Sequence, residues 1–307
     1  MKEQKTFTGK QCSVTVIEDS LTQLTGTRLC TLQLRYWRAI HSEFMTHRVL
    51  SRNASSSRAI PTEKLLEQVE EFPACPVHWG KNQPGMQAHE EHTEFVKHPI
   101  TGELLTREEA WREAARSSSA WAREFSAAGY HKQIVNRLIE PASFISVVVS
   151  ATQWDNFFAL RDHADAQPEI RDLAVTMKEA MDASSLRVVH TGKMKDPRNW
   201  HLPYVQMVER MDPSNTISDL LAMSAARCAR VSYLTHDKLS PKKADDIALY
   251  RRLVESKPLH ASPLEHQAHA AASKAPSANF TGGWIQQRRM LEISGSIEVL
   301  STTLQNA

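Results

Sequence analysis

The chain has 307 residues, of which 41% are hydrophobic and 23% are charged, and its formal net charge is +2. This balance excludes a disordered chain, and the small net charge argues against broad nucleic-acid binding. The four cysteines form no C-x-x-C pair, and neither a signal core nor an apolar stretch of membrane-spanning length occurs, so we expect a soluble, cytoplasmic protein without a membrane partner.

The first predicted elements are two strands, because β-branched residues alternate with smaller or polar ones in CSVTVIE and LCTLQLRYW. The second strand runs into RAIHSEFMTHR, in which Ile40 and Phe44 share a helical face. The stretch HRVLSRNASSSR therefore begins at a helix end, where anions are often bound. Its composition alone fits a solvated polar loop as well as a phosphate-binding loop.

The centre of the chain alternates helices with a buried strand. Thr106 and Glu109 form a capping box before a helix that stops at Gly129. The run SFISVVVSA predicts a fully buried strand, and Thr152 with Asp155 resembles a second capping box that would open the helix QWDNFFALR. A further helix follows in PEIRDLAVTMKEAMD. This alternation predicts an α/β (α+β) fold, a mixed sheet flanked by helices.

Residues 187–214 are poor in periodicity and are predicted to connect two parts of the chain, 1–186 and 215–307. Two helices, ISDLLAMSAARCARVS and PKKADDIALYRRLVESK, follow this connector, and the loop PLHASPLEH comes after them. We expect one compact catalytic domain overall.

The sequence contains neither the Rossmann dinucleotide fingerprint nor a P-loop. Four residues, Cys75, His78, His89 and His92, have a spacing that could hold zinc, but the spacing is loose and ordinary loop histidines are favoured, so no metal site is predicted. The loop at residues 73–88 suits a substrate lid and a plain structural loop equally well.

HRVLSRNASSSR resembles the signature of the flavin-dependent thymidylate synthases, R-H-R-x-x-S-x-N-E-x-S-x-R-Y. Six residues match it in register: His47, Arg48, Ser51, Asn53, Ser56 and Arg58. Downstream, DNFFALRDHADAQPEI is similar to the late family segment N-F-L-x-L-R followed by A-Q-x-E-I. The residues matched there are Asn156, Phe157, Leu160, Arg161, Ala166, Gln167, Glu169 and Ile170.

Two further segments, ARVSY (Ala229 to Tyr233) and HASPLEH (His260 to His266), look like family motifs that precede the signature, yet here they follow it. A circular permutation is the simplest explanation. FTGGWIQQRR comes next and resembles a decayed second copy of residues 28–48. A tandem duplication trimmed at both ends would leave such a remnant.

The chain also departs from the family pattern. Thr46, Ala54 and Ala59 replace the signature's first arginine, its glutamate and its final tyrosine, and Thr152 stands where an arginine is usual. A flavin-contacting histidine has no match in register, because Asp165 occupies its place and His163 lies two residues earlier. Arg288 or Arg289 of the remnant copy is a hypothetical source of the missing positive charge.

The resemblance implies an FAD enzyme that transfers a one-carbon unit from methylenetetrahydrofolate to carbon 5 of dUMP, with NADPH reducing the flavin. It assigns Arg161 to stabilise negative charge on the pyrimidine ring, with Arg137 assisting. The implied nucleotide contacts are Glu43, Ser56, Arg58, Arg137 and Arg161. The implied flavin contacts are His47, Arg48, Ser51, Asn53, Asn156, Ser232 and Ser262. Family sites assemble from several subunits, which implies a homotetramer.

Two alternatives stay open at this point. One is a flavin enzyme that hydroxymethylates or otherwise modifies a pyrimidine nucleotide such as dCMP, made plausible by the altered signature. The other is an inactive nucleotide- or nucleic-acid-binding homologue that reuses the basic loop.

Overall fold

The computed structural model describes residues 5–232, 242–256, 259–272 and 277–293. Its strands are β1 (Thr6–Thr8), β2 (Cys12–Thr22), β3 (Arg28–Trp37), β4 (Ser51–Ala54), β5 (Val96–Lys97), β6 (Leu104–Leu105), β7 (Phe144–Ala151), β8 (Arg187–Val189), β9 (Trp200–His201), β10 (Ala268–Ala270) and β11 (Trp284–Gln286). Its α-helices are α1 (His41–Phe44), α2 (Thr62–Glu71), α3 (Arg107–Ala127), α4 (Lys132–Ile139), α5 (Asp155–Arg161), α6 (Pro168–Asp182), α7 (Met207–Met211), α8 (Ile217–Ala229), α9 (Lys243–Glu255) and α10 (Gln287–Ile293).

The main sheet has the strand order β1-β2-β3-β7-β4, with β8 parallel to β2 at its side and the other pairs antiparallel. A second sheet has the order β11-β10-β9, and β5 pairs with β6. The expected mixed α/β fold with helices around a sheet is confirmed. The predicted strands at 12–18, 29–37 and 143–151 correspond to β2, β3 and β7, and every residue of β7 is buried.

The largest core lies between one face of the main sheet and α6. Leu32 and Leu34 of β3 are fully buried there with Leu173 and Met177 of α6. Side chains alternate between the faces of a strand, so the intervening residues of β3 point to the other face. On that face, Oγ1 of Thr31 lies 2.7 Å from Nε2 of His201. The chain after residue 187 therefore packs against this face of the sheet.

Of the two capping boxes predicted from the sequence, one is present in the structure and one is not. The capping box of Thr106 and Glu109 is present at the start of α3, and Gly129 after its end has a φ of 85°. The second predicted capping box is wrong, because α5 begins at Asp155 without a side-chain cap. The hydroxyl of Thr152 instead bonds that of Thr281 at 3.1 Å.

Residues 187–214, expected to be a connector, supply β8, β9 and α7, and bury Trp200 and His201. Tyr233 of ARVSY lies outside the described residues, and so does the side chain of Ser232. Within the described ranges, no helix combines the length and the apolar character needed to cross a membrane.

Candidate active site

The signature segment folds as a turn followed by strand β4. Arg52 donates from one guanidinium nitrogen to the carbonyls of Met45 at 3.0 Å and His47 at 2.8 Å, which closes the turn between α1 and β4. Strand β4 then pairs with β7, with Ser51 opposite Ser150. Arg52, one of the basic residues of HRVLSRNASSSR, is thus bonded to the backbone of its own loop.

Arg161 joins the late family segment to the signature. Its Nε donates to Nε2 of His47 at 2.8 Å, and its guanidinium forms an ion pair with Glu43. The ring of Phe157 packs edge-on against His47 at a centroid distance of 4.9 Å. Three residues that the sequence placed in the site, Glu43, His47 and Arg161, therefore form one cluster.

The charge state of His47 follows from its surroundings. Burial, together with the positive charges of Arg161 and Arg52, lowers the pKa of His47 from its ordinary 6.5. A neutral imidazole accepts the hydrogen bond from Arg161 at Nε2. The cluster therefore holds a guanidinium between one carboxylate and one neutral acceptor.

Asn53 connects β4 to the end of α8, just before ARVSY, and to the displaced segment HASPLEH. Its Nδ2 donates to the carbonyl of Cys228 at 2.8 Å, at the end of α8, and its Oδ1 accepts from the hydroxyl of Ser262 at 3.0 Å. Ser262 begins the 3₁₀ turn Ser262–Glu265. Both ends of the Asn53 amide are thus engaged within the protein.

The second half of the chain also reaches Ser51. Gln286 of β11 donates from Nε2 to the Ser51 hydroxyl at 3.0 Å and to the Glu265 carbonyl at 2.8 Å. Arg288 of α10 forms an ion pair with Glu265. The sequence pointed to QQRR only as a remnant, and no local pattern shows that Gln286 and Glu265 lie beside the signature strand.

The predicted phosphate residues lie in the turn after β4. Asn136 of α4 donates to the carbonyls of Ser57 at 2.7 Å and Ile60 at 3.1 Å, which fixes the turn against the helix. Ser56 is half-buried and Arg58 is exposed. The turn therefore presents a guanidinium to solvent from a backbone that α4 holds in place.

Of the other predicted residues, those that the structure describes in full make no hydrogen bond or ion pair with the Arg161 cluster. Arg137 pairs with Glu140 of its own segment at 2.8 Å, and its side chain is 59% exposed. Arg48 and Asn156 are exposed, Arg48 in the turn before β4 and Asn156 on α5.

The loop at 73–88 packs on the late family segment. The backbone N–H of Val77 donates to the Glu169 carboxylate at 3.0 Å, and Gln87 donates to the Asp165 carbonyl at 2.6 Å. His78 bonds the Ala88 carbonyl at 2.8 Å.

No group of three or more metal-ligating side chains occurs in the described part of the chain.

The sequence profile of one family, described as Thymidylate synthase complementing protein, matches residues 28–184, just over half of the chain. The chain belongs to this family, the flavin-dependent thymidylate synthases, and is an enzyme of that class.

Two solved structures are similar. One is Thymidylate Synthase X from Helicobacter pylori with FAD and dUMP, with 16% identity over 50% of this chain and 67% of that chain and a TM-score of 0.35. The other is the UMP/dUMP methylase PolB from Streptomyces cacaoi bound with 5-Br UMP, with 15% identity over 55% of this chain and 88% of that chain and a TM-score of 0.38. No curated protein matches by sequence.

Proposed function

We propose that the protein transfers a one-carbon unit to carbon 5 of dUMP, giving dTMP, with FAD as cofactor, methylenetetrahydrofolate as carbon donor and NADPH as reductant. The observation that carries this proposal is the bonding of Arg161 to both Glu43 and His47. The bond between Arg161 of the late family segment and His47 of the signature brings these two segments together at a positively charged side chain.

Carbon 5 of a pyrimidine is nucleophilic only when negative charge can build on the ring oxygens. A fixed guanidinium beside the ring lowers that barrier, because it needs no reorganisation as the charge develops. Glu43 and the neutral His47 hold Arg161 in one orientation. Arg137 is proposed as an assisting cation; its pairing with Glu140 leaves the guanidinium largely exposed to a ligand.

The residues around the signature fit FAD. Among the described residues, Arg48 has no ion pair and lies exposed in the turn before β4, where a flavin phosphate would find an unneutralised charge. Hydroxyl and amide groups of Ser51, Asn156 and Ser262 supply neutral donors and acceptors. Asn53, whose amide is already bonded within the protein, His47 and Ser232 complete the proposed set. Bound FAD would supply the redox chemistry that converts the transferred carbon to a methyl group.

The nucleotide phosphate is proposed to bind at Ser56 and Arg58, because the α4-anchored turn presents both hydroxyl and guanidinium donors. Arg288 is proposed to replace the positive charge lost at Thr46. Both arginines pair with Glu292, and the additional ion pair of Arg288 with Glu265, beside the signature strand, is what supports Arg288 over Arg289.

The chain order is proposed to result from circular permutation after a tandem duplication. The contacts of Asn53 support this, because they join the signature strand to Ser262 of HASPLEH and to Cys228, the residue before ARVSY, although the order of the sequence separates these motifs. We also propose that the chain consists of two parts, 1–186 and 215–307, joined by residues 187–214. The protein is further proposed to be a homotetramer and to be located in the cytoplasm.

A second candidate is hydroxymethylation or methylation of a pyrimidine nucleotide, dUMP or dCMP, to a product other than dTMP, favoured by the substitutions Ala54 and Ala59 in the signature. Incubation of the protein with FAD, NADPH and methylenetetrahydrofolate, with dUMP or dCMP in parallel, separates the two by the mass of the product. We expect dTMP from dUMP and no product from dCMP.

The alternative of an inactive homologue that only binds nucleotide or nucleic acid is not favoured, because the chain belongs to a family of enzymes. Purified protein that lacks the oxidised-flavin absorbance band, and does not acquire it after addition of FAD, would contradict the proposed FAD-dependent reaction.

A further inference from the structure

A cavity of about 410 Å³ lies away from the signature, between the β1–β2 turn, the start of β7 and α3. The residues that define its chemistry are Lys10, Arg35, Cys75, Trp79, Arg112 and Phe144. Its volume is within the range of small-molecule sites and is larger than a single inorganic ion needs.

Arg35 of β3 forms one wall. Its guanidinium carbon lies 3.8 Å from the centroid of the Phe144 ring, which fixes the charged group by cation–π contact. Within the described residues Arg35 has no carboxylate partner, and burial lowers its pKa. A partly desolvated guanidinium without a counter-charge is unfavourable, so an anion bound here would be stabilised.

Arg112 of α3 provides a second guanidinium, beside the thiol of Cys75. Two carboxylates, Glu71 and Glu108, also line the cavity. Arg107 pairs with Glu108 at 2.8 Å but also with Glu91 at 2.6 Å, so it does not fully offset Glu108. Three cations, Lys10, Arg35 and Arg112, line the cavity against the carboxylates of Glu71 and Glu108, which leaves a single excess positive charge.

We propose that this cavity binds a small organic molecule through a phosphate group held between Arg35 and Arg112. The two guanidinium groups come from different elements, so a dianionic group can bridge them with charge-assisted hydrogen bonds. Trp79 supplies an apolar wall for the rest of the molecule. This binding uses none of the signature residues and goes beyond the proposed function.

Cys75 reports occupancy of the cavity. Burial raises the pKa of the Cys75 thiol as well, but Cys75 is half-buried, whereas Cys12, Cys30 and Cys228 are buried and burial raises the pKa of Cys12 to about 12. Alkylation of the full-length chain by iodoacetamide, followed by mass spectrometry of the peptides, should therefore modify Cys75 first. The probes are glycerol 3-phosphate and, separately, succinate, each against sodium chloride at equal ionic strength.

We expect glycerol 3-phosphate to slow alkylation of Cys75 in a saturable manner. In Arg35→Met and in Arg112→Met the concentration for half-protection should rise roughly ten-fold or more, the effect of losing one charge-assisted contact. Arg116→Met is the matched control, one helical turn along α3, where Arg116 pairs with Glu113 at 3.1 Å; it should behave as wild type.

Absence of protection in the wild type, equal loss in Arg116→Met, or protection by succinate alone would overturn the proposal. Arg58→Ala is included because it removes the proposed nucleotide phosphate contact. Protection lost in Arg58→Ala but kept in Arg35→Met would also overturn it. The assay requires neither flavin nor turnover, so its result is independent of the catalytic proposal.

Discussion

Ser262 donates a hydrogen bond to Asn53 at 3.0 Å, although 209 residues separate them in the sequence. The bond ties the displaced segment HASPLEH to the signature strand within one chain. Asn53 is also the donor to Cys228 at the end of α8, so one amide holds three distant segments together. The arrangement of the candidate site therefore depends on contacts between the two halves of the chain.

The bond between Asn53 and Ser262 should appear as coupling in a double-mutant cycle. We expect Ser262→Ala and Asn53→Ala to show a coupling free energy of about 0.5 to 1.5 kcal/mol, the net contribution of a neutral hydrogen bond. Chemical denaturation of the four proteins measures it. Asn53→Ala combined with Ser117→Ala, an exposed position on α3, should instead be additive. Additivity of both pairs would contradict the bond.

Arg161→Met should lower turnover of dUMP by about 10² to 10³, because it removes a fixed cation that opposes the developing negative charge. Arg161→Lys should recover only part of the rate, since an ammonium cannot keep the forked contacts with Glu43 and His47. Steady-state kinetics measure the rates, and absorbance measures bound flavin. Arg116→Met is the control. Full turnover in Arg161→Met would refute the role of the cation.

Arg58→Ala should weaken dUMP binding by about 1 to 3 kcal/mol, the range for a hydrogen bond to a charged group, while flavin is retained. Arg48→Ala should have the opposite pattern and weaken flavin binding more. Calorimetric titration with dUMP and absorbance of bound FAD measure the two ligands separately. Equal loss of both ligands in either variant would contradict this division of roles.

Arg288→Gln should weaken dUMP or flavin binding roughly ten-fold, the effect of losing one charge-assisted contact, if Arg288 replaces the charge missing at Thr46. Arg289→Gln is the matched control, because Arg289 is adjacent and shares the pairing with Glu292, whereas only Arg288 of the two pairs with Glu265 in the described part of the chain. The same two titrations apply. Identical behaviour of the two variants would show that the remnant segment contributes no charge to the site.

The sequence predicted the features whose signals are local. The alternating residues of β2 and β3 and the capping box of Thr106 with Glu109 depend on neighbours a few positions apart. The Thr152 capping box failed because the partner of that hydroxyl, Thr281, lies 129 residues away. No local pattern encodes such a pairing.

The site could be predicted from the sequence only where its residues belong to segments that match the family motifs position by position. That match placed Glu43, His47 and Arg161 in one site, and the structure brings them into contact. It could not show that Gln286 bonds Ser51, because that contact arises from the packing of the second half on the sheet. The partner of Arg137, Glu140, lies only three residues on and could have been read from the helical spacing.

His266 should make the stability of the protein depend on pH from about 6.5 down to about 3, and the upper part of this range, above pH 5, is the part to be measured. Burial lowers its pKa to about 3, and burial likewise lowers the pKa of nearby His201 to about 4. As the pH falls below the ordinary histidine value of 6.5, the unfolded chain gains protons that the folded chain does not bind. The free energy of unfolding should therefore decrease on acidification, by up to about 1.4 kcal/mol per pH unit for each group.

In His266→Gln this slope should be shallower by up to one proton, while His89→Gln, which alters an exposed imidazole, should keep the wild-type slope. Urea denaturation at several pH values measures both. Glu18 does not confuse the result: Arg210, His201 and Arg187 outweigh burial and lower its pKa, so its stabilising effect is lost only below its ordinary value of 4.5. An unchanged slope in His266→Gln would mean that His266 is protonated in the folded protein.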